Sequence, residues 1–186
     1  MGNCCTSIQN ETDKFENKTF TNTKIFNLID KQLTGRVVDI YDGDTCTCVF
    51  NVFGDYYRFK IRLAEIDTCE MTSTHEKLKK KAIQAKNRLF NLITGENINL
   101  DIEISRNDMR DRLNNKGNYI VKVVCGDFDK YGRLLGWIYD KNHNFYKDQD
   151  KTRIKSFNHI LINKKLAYLY YGNTKLTEQE QIKKLL

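Results

Sequence analysis

No stretch of the chain is long or apolar enough to span a bilayer, and no secretory h-region follows Met1. No Cys-x-x-Cys pair occurs, which argues against a zinc site. The six cysteines, Cys4, Cys5, Cys46, Cys48, Cys69 and Cys125, do not form a disulfide framework and read as reduced thiols of a cytosolic protein. Internal repeats are absent too. What remains is a chain of 186 residues, 40% hydrophobic and 30% charged, which suits one globular domain with tails. Lys and Arg total 31 against 24 Asp and Glu, a net charge of +7 with a pI near 9.0. That balance favours polyanion partners such as nucleic acid or anionic lipid.

The first residues, "MGNCCT", fit an N-myristoylation pattern, with Gly2 exposed after loss of Met1 and Thr6 at the favoured hydroxyl position. Cys4 and Cys5 lie where palmitate is commonly added beside a myristoylated glycine. One acyl chain holds a protein to membrane only marginally, and a second makes the anchor stable. The expectation is a lipidation signal over residues 1–7 and a flexible polar tether over 8–23. A domain over 24–186, with its core at 35–172, would then sit on the cytoplasmic face of a membrane in a eukaryotic or virus-infected cell, or in the soluble cytosol if not acylated. The acceptor motifs "NET" and "NKT" are discounted for a cytosolic protein.

Residues 24–33, "KIFNLIDKQL", suggest a short amphipathic helix. From Gly35 three β-rich runs follow, "RVVDIYD", "TCTCVFNVF" and "YYRFKIRLAEI", broken at Gly43 and Gly54. In the third, Tyr57, Phe59, Ile61 and Leu63 alternate with Arg58, Lys60 and Arg62, giving one apolar and one basic face. "STHE" at 73–76 reads as a capping box, and Leu78, Ala82, Ala85, Leu89 and Leu92 make the apolar stripe of a helix that Gly95 stops. Lys77, Lys79, Lys80, Lys81, Lys86 and Arg88 form its outer, solvated face. "NINLDIEI" and "NYIVKVVC" read as two strands of a hairpin with a long charged tip, "SRNDMRDRLNNKG". "DKYGRLLGWIYD" is a turn and a strand, "SFNHILINKKLAYLYYG" a helix ending in aromatics, and "TEQEQIKKLL" a helix with a Thr177–Glu180 capping box. Short strands with a helix after the third indicate an α+β protein, a five-stranded Greek-key β-barrel of the OB-fold type with flanking α-helices.

Polar residues collect at strand ends. Asp42 and Asp44 close the first strand, Arg62 lies on the third, and Asp67, Thr68 and Glu70 follow it. Two carboxylates at neighbouring strand ends can form half of a Ca²⁺ shell, although "DGD" alone is more often a tight turn than a ligand pair. Arg62 and Arg133 can each grip a phosphate through two parallel hydrogen bonds, and Arg62 with Asp67 reads equally as an ion pair. Glu70 remains to orient or deprotonate a water. Metal, paired arginines and a base are what phosphodiester hydrolysis needs.

The order "DGDT", "RLAEIDTCE", "DKYGR", "NHILINKKLAYLYYG", over roughly residues 35–172, resembles the staphylococcal (thermo)nuclease family. The resemblance implies an OB-fold barrel and a Ca²⁺-dependent endonuclease acting on DNA and RNA, leaving 5′-hydroxyl and 3′-phosphate ends. It implies Asp44 and Asp67 as calcium ligands with the Thr68 carbonyl, and Asp42 behind them acting through the ion's water shell. Arg62 and Arg133 would bind the scissile phosphate, Glu70 would be the general base, and Lys130, Tyr131 and Tyr171 would bind the substrate nucleotide. The family usually has proline where Cys69 stands, and this chain contains none. A thiol there is either redox-sensitive beside the site or inert by burial. Two rival readings are a non-cleaving nucleic-acid- or protein-binding module on the same fold and a lipid-anchored adaptor using the basic helix.

Overall fold

The computed structural model describes residues 14–145 and 153–186. The lipidation signal at Gly2, Cys4 and Cys5 and the first residues of the tether lie outside them. Alternation of apolar and polar residues sets three strands in a meander, β1 (Gln32–Ile40), β2 (Thr45–Val52) and β3 (Asp55–Leu63). Phe53 and Gly54 join β2 to β3 with φ of 56° and 92°, the two left-handed residues that a two-residue hairpin turn requires. A two-residue strand, β4 (Ile66–Asp67), follows, and β5 (Ile120–Phe128) and β6 (Leu134–Asp140) form a second hairpin. β5 pairs antiparallel with β1 and β6 parallel with β3, so the barrel closes in the order β1-β2-β3-β6-β5. This is the expected five-stranded OB-type barrel.

Every second residue points inward. Val37, Cys48, Phe50, Ile61, Leu63, Val123, Leu134 and Ile138 are no more than 1% exposed. Burying each large aliphatic or aromatic side chain contributes roughly 1.5–3 kcal/mol, and that sum holds the register. Around the barrel stand four helices among the described residues, α1 (Glu76–Thr94), α2 (Arg106–Asn115), α3 (Phe157–Asn163) and α4 (Glu178–Leu185). None is long and apolar enough to cross a membrane. A short strand, β7 (Tyr168–Leu169), pairs with β4 so that Tyr168 faces Asp67.

Four local expectations are corrected. Residues 24–31 form no helix, because the Asn27 side chain donates to the Ile25 carbonyl and accepts from the Ile29 amide. The chain is drawn into the barrel ladder instead, Asp30 donating to Cys125 and Cys125 to Lys31. "STHE" makes no capping box: α1 is capped at His75 without a side-chain bond, and Ser73 Oγ accepts from the His75 amide and donates to Glu178.

"NINLDIEI" is not a strand. Side chains of α1 capture its backbone: Asn87 Nδ2 donates to the carbonyls of Asn99, Leu100 and Ile102, and Asn91 exchanges two bonds with Ile98. Lys86, assigned above to the solvated face of α1, is therefore buried, with Nζ on the Ile104 carbonyl and its pKa lowered chiefly by burial. Fourth, the charged tip is the helix α2. Ser105 caps it by accepting from the Asp108 amide, and Met109 and Leu113, four residues apart, are fully buried. Asp39 of β1 receives both Arg106 and Arg110 and fixes α2 across the barrel wall.

Candidate functional site

β1 ends at Ile40, and the chain crosses to β2 through Tyr41, Asp42, Gly43 and Asp44. Gly43 has no positive φ; what requires glycine is closeness, since a Cβ there would lie 2.6 Å from Ala85 Cβ of α1 and 3.0 Å from Thr68 Cγ2. The glycine at the break between the first two strands thus lets this loop press against α1 and the β4 segment. Asp44 is thereby buried, at 5% exposure, with its amide bonded to Asp42 Oδ1 at 3.0 Å.

β3 delivers Arg62 opposite Thr45, in the same layer. Its guanidinium lies between the two aspartates, NH1 2.8 Å from Asp44 Oδ1 and NH2 2.5 Å from Asp67 Oδ1. The other oxygen of Asp44 accepts from the amide and hydroxyl of Thr68, both at 2.9 Å, and Tyr168 donates its hydroxyl to Asp67 Oδ2. Burial first, and then the charge of Asp42, push the Asp44 carboxyl up to about 6 against the pull of Arg62 and Thr68. Asp67 is raised as well, by burial, and by Asp44 against the opposing Tyr168, Lys175 and Arg62.

Two raised, buried carboxylates want more positive charge than Arg62 supplies. The donors available are oxygens only, the Asp44 and Asp67 carboxylates and the Thr68 carbonyl, with Asp42 behind; that chemistry fits a hard divalent cation. No three carboxylate, imidazole or thiol groups form a ready metal cage among the described residues, and Arg62 occupies the gap between the two that face it. A cation between Asp44 and Asp67 therefore needs the guanidinium to turn outward.

The remaining expected residues share one cavity of about 870 Å³ with this centre. Glu70 stands exposed on its rim, and Arg133 projects from the turn before β6. Lys130, Tyr131 and Tyr171 line the opening, the two tyrosines 73% and 67% exposed. Lys130 and Arg133 both lie over the Tyr131 ring, 5.1 and 5.4 Å from its centre. All the expected site residues among the described ones thus converge, although they come from β1–β2, β3–β4, β5–β6 and the segment after β7.

Three further residues shape the site without having been singled out. Asp129 accepts from the Tyr131 and Arg133 amides at 2.9 Å each and from Arg133 Nε at 2.7 Å, which holds the turn and aims the rest of the guanidinium at the cavity. Burial raises its carboxyl, but those bonds together lower it below the ordinary value. An aspartate opening a turn was the available signal. Tyr168 orients Asp67, and its phenol is pushed up by burial and by that bond. Lys175 reaches Glu70 Oε1 at 2.7 Å and Asp67 Oδ1 at 3.3 Å, with no local motif to mark it. Cys69 is 2% exposed and its thiol is pushed up to about 11, mainly by burial, an environment that disfavours the thiolate. Cys46, Cys48 and Cys125 are likewise free and buried.

Residues 60–186 match the family of staphylococcal nuclease homologues. The match starts within β3, so Asp42 and Asp44 lie before it and are joined to the rest of the site by the fold. No curated protein matches the chain.

Proposed function

Because the chain belongs to the staphylococcal nuclease family, we propose that it is a Ca²⁺-dependent endonuclease that hydrolyses DNA and RNA to 5′-hydroxyl and 3′-phosphate ends. The observation that carries this reading is Arg62 between Asp44 and Asp67, in one cavity with Glu70 and Arg133. Asp44, Asp67 and the Thr68 carbonyl would hold the ion, with Asp42 acting through its water shell. When bound there, Ca²⁺ supplies positive charge at the scissile phosphate and acidifies coordinated water.

The protein groups then divide the work. Arg62, displaced from the carboxylates, presents its planar fork to the phosphate. Arg133, held at Nε by Asp129, offers its two remaining nitrogens to the same group. Donors aimed at developing negative charge in this way each contribute about 10²–10³ in rate. Glu70 removes a proton from the attacking water as the new P–O bond forms, and the bond to the 5′-oxygen breaks with that oxygen taking up a proton. Lys130, Tyr131 and Tyr171 seat the neighbouring nucleotide. Gly2, Cys4 and Cys5 would carry acyl chains that place the enzyme on the cytoplasmic face of a membrane.

Purified protein incubated with plasmid and with single-stranded RNA, in Ca²⁺ or in chelator, tests the reading. Cleavage in Ca²⁺ alone, lost in Arg62→Ala and Glu70→Ala, is the expected result. Binding without cleavage in either condition supports the rival non-cleaving module instead.

A further inference from the structure

The outward face of β3 runs Tyr56, Arg58, Lys60, Arg62, every second residue of the strand. Arg62 is the buried end of this row, at 7% exposure, and belongs to the site described above. Arg58 and Lys60 are exposed, and neither has a hydrogen-bond or ion-pair partner among the described residues. From Arg58 to Arg62 the strand advances about 13 Å.

Across from this row stands α2, and between them lies a second cavity of about 570 Å³ with Thr47 and Val49 of β2 as its floor. Arg58 and Lys60 form one bank, Arg106 and Arg110 the other, and among the described residues Asp39 is the only carboxylate in the lining. Four cations against one anion leave three positive charges unmatched in a concave strip. Asp39 binds Nε and one Nη of each arginine, so both guanidiniums are fixed while one Nη of each has no partner among the described residues. Fixed arginines lose little rotamer entropy on meeting a phosphate.

The strip is continuous with the first cavity. Arg106 lies over the Tyr41 ring, 4.7 Å from its centre, and Tyr41, 57% exposed, lines the cavity that holds Asp44 and Arg62. At the other end Tyr56 is 77% exposed. Cations spaced along a groove with an exposed aromatic ring at each end match the phosphates and bases of a single nucleic-acid strand. A lipid surface is flat and does not enter a trough between a helix and a strand.

We propose that the trough between α2 and the outer face of β3 is a polynucleotide track that carries the strand flanking the scissile phosphate, with phosphates on Arg58, Lys60, Arg106 and Arg110. This rests on the nuclease reading for the direction of the strand, and on the trough alone for binding. The track makes the protein a reader of polymers: it holds a chain too long for the first cavity and passes short oligonucleotides by.

The test is binding in chelator, where cleavage does not intervene, by fluorescence anisotropy over a range of salt concentrations. The probes are thymidylate oligomers of about 12 and of about 3 nucleotides, the longer within the ~4–16 nucleotide footprint of one OB-fold. The Arg58→Ala/Lys60→Ala double variant removes two cations that have no partner among the described residues. It is expected to weaken 12-mer binding at least about tenfold, since each of the two charge-assisted hydrogen bonds lost is worth about that much. The slope of log K against log salt should fall by about 1.4, for two phosphate contacts on a single strand, and 3-mer binding should be unchanged.

Unchanged 12-mer affinity and slope in the variant overturn the proposal, as does a wild-type protein that binds neither oligomer. Loss of binding to phosphatidylserine vesicles with 12-mer binding intact overturns it in favour of a lipid contact. A wild-type protein that binds the 12-mer through Arg58 and Lys60 but cuts nothing leaves the track standing and removes the nuclease reading.

Discussion

Lys175 donates to Glu70 across 2.7 Å, a contact between residues 105 positions apart in the chain. The lysine comes from the segment that leads into α4, so the C-terminal part of the chain completes the site. Lys175 also touches Asp67 and is half-exposed, which places one positive charge between the general-base candidate and a cation ligand. Burial works against its charge, but Glu70 and Asp67 raise its pKa above the ordinary value, so it stays protonated at neutral pH. Lys175→Ala leaves Glu70 without its anchor and adds a net negative charge where the substrate phosphate arrives. The expected loss is about tenfold in kcat/KM, or about 1.4 kcal/mol of transition-state binding, with the fold intact. Steady-state cleavage kinetics equal to wild type would show the contact to be incidental.

Arg62 has two tasks that a single variant separates. In the absence of a cation it is the counter-charge that Asp44 and Asp67 share, both nearly removed from water. Its removal leaves buried carboxylates short of a partner, which costs about 3–5 kcal/mol where a buried pair is broken. Lys175 and Tyr168 still serve Asp67, so the lower figure is expected here. A cation no longer competes with the guanidinium for that gap, so added Ca²⁺ should raise the melting temperature of Arg62→Ala by more than that of the wild type. At a hundred times Kd the gain from the ion alone is about 2.7 kcal/mol. Thermal melts with and without chelator decide it, and equal shifts in the two proteins contradict the competition.

The raised carboxyl of Asp44 gives a pH dependence with a definite sign. Its ordinary value is 3.8 and the folded value about 6, so the folded, cation-free protein holds a proton that the unfolded chain has released. Stability of that form falls as pH rises from about 4 to about 6 and stays at the lower level above. Cation binding must expel the proton, so apparent Ca²⁺ affinity climbs through pH 6 and flattens beyond it. Calorimetric titration at pH 5 and pH 7.5 should show tighter binding and less proton release at the higher pH. Affinity independent of pH in this range contradicts the assignment of Asp44 as a ligand.

Asp39 behaves in the opposite sense. Burial raises its carboxyl, but hydrogen bonds and charge from Arg106 and Arg110 together bring it below 3.8. The stability it contributes is present above that value and is lost as pH falls through the lower folded value. Asp39→Asn should therefore destabilise the protein at neutral pH by about 1–2 kcal/mol, since the arginines reach solvent. It should also flatten the acid limb of the unfolding curve below pH 4, with α2 amides exchanging hydrogen faster. A variant with wild-type acid sensitivity would place the docking of α2 in Met109 and Leu113 alone.

Membrane attachment is tested at the other end of the chain. Gly2→Ala removes the only glycine that a myristoyl group could use at this terminus. Expressed in a eukaryotic cell, the variant should move from the membrane fraction to the soluble one, with a partial shift for Cys4→Ser/Cys5→Ser. Wild-type and variant proteins that fractionate alike would dispose of the anchor.

The barrel was legible because its strands alternate with period two: Tyr57, Phe59, Ile61 and Leu63 point one way whatever surrounds them. The stripe of α1 and the Thr177–Glu180 cap of α4 were legible for the same local reason. "NINLDIEI" misled because its apolar alternation fits a strand, while Asn87 and Asn91, ten or so residues upstream, supply side-chain partners that replace a ladder. The helix α2 was hidden by charge: only Met109 and Leu113 mark its buried face, and its arginines need Asp39 to become structural. The break at Gly43 was legible but its cause was not, since a close approach to Ala85 cannot be read from neighbours in sequence.

By itself the sequence determined which residue types the site would contain, because carboxylate pairs at strand ends, arginines and a glutamate have chemistry independent of context, and their order along the chain marked the family. It also determined the basic face of β3, a consequence of strand geometry alone. Only the tertiary structure decided that Arg62 lies between Asp44 and Asp67, that Lys175 reaches Glu70, and that α2 sets Arg106 and Arg110 opposite Arg58 and Lys60. Those relations depend on charges brought within a few ångströms and out of water by barrel closure, and interaction energy falls with distance in space, not with separation along the chain.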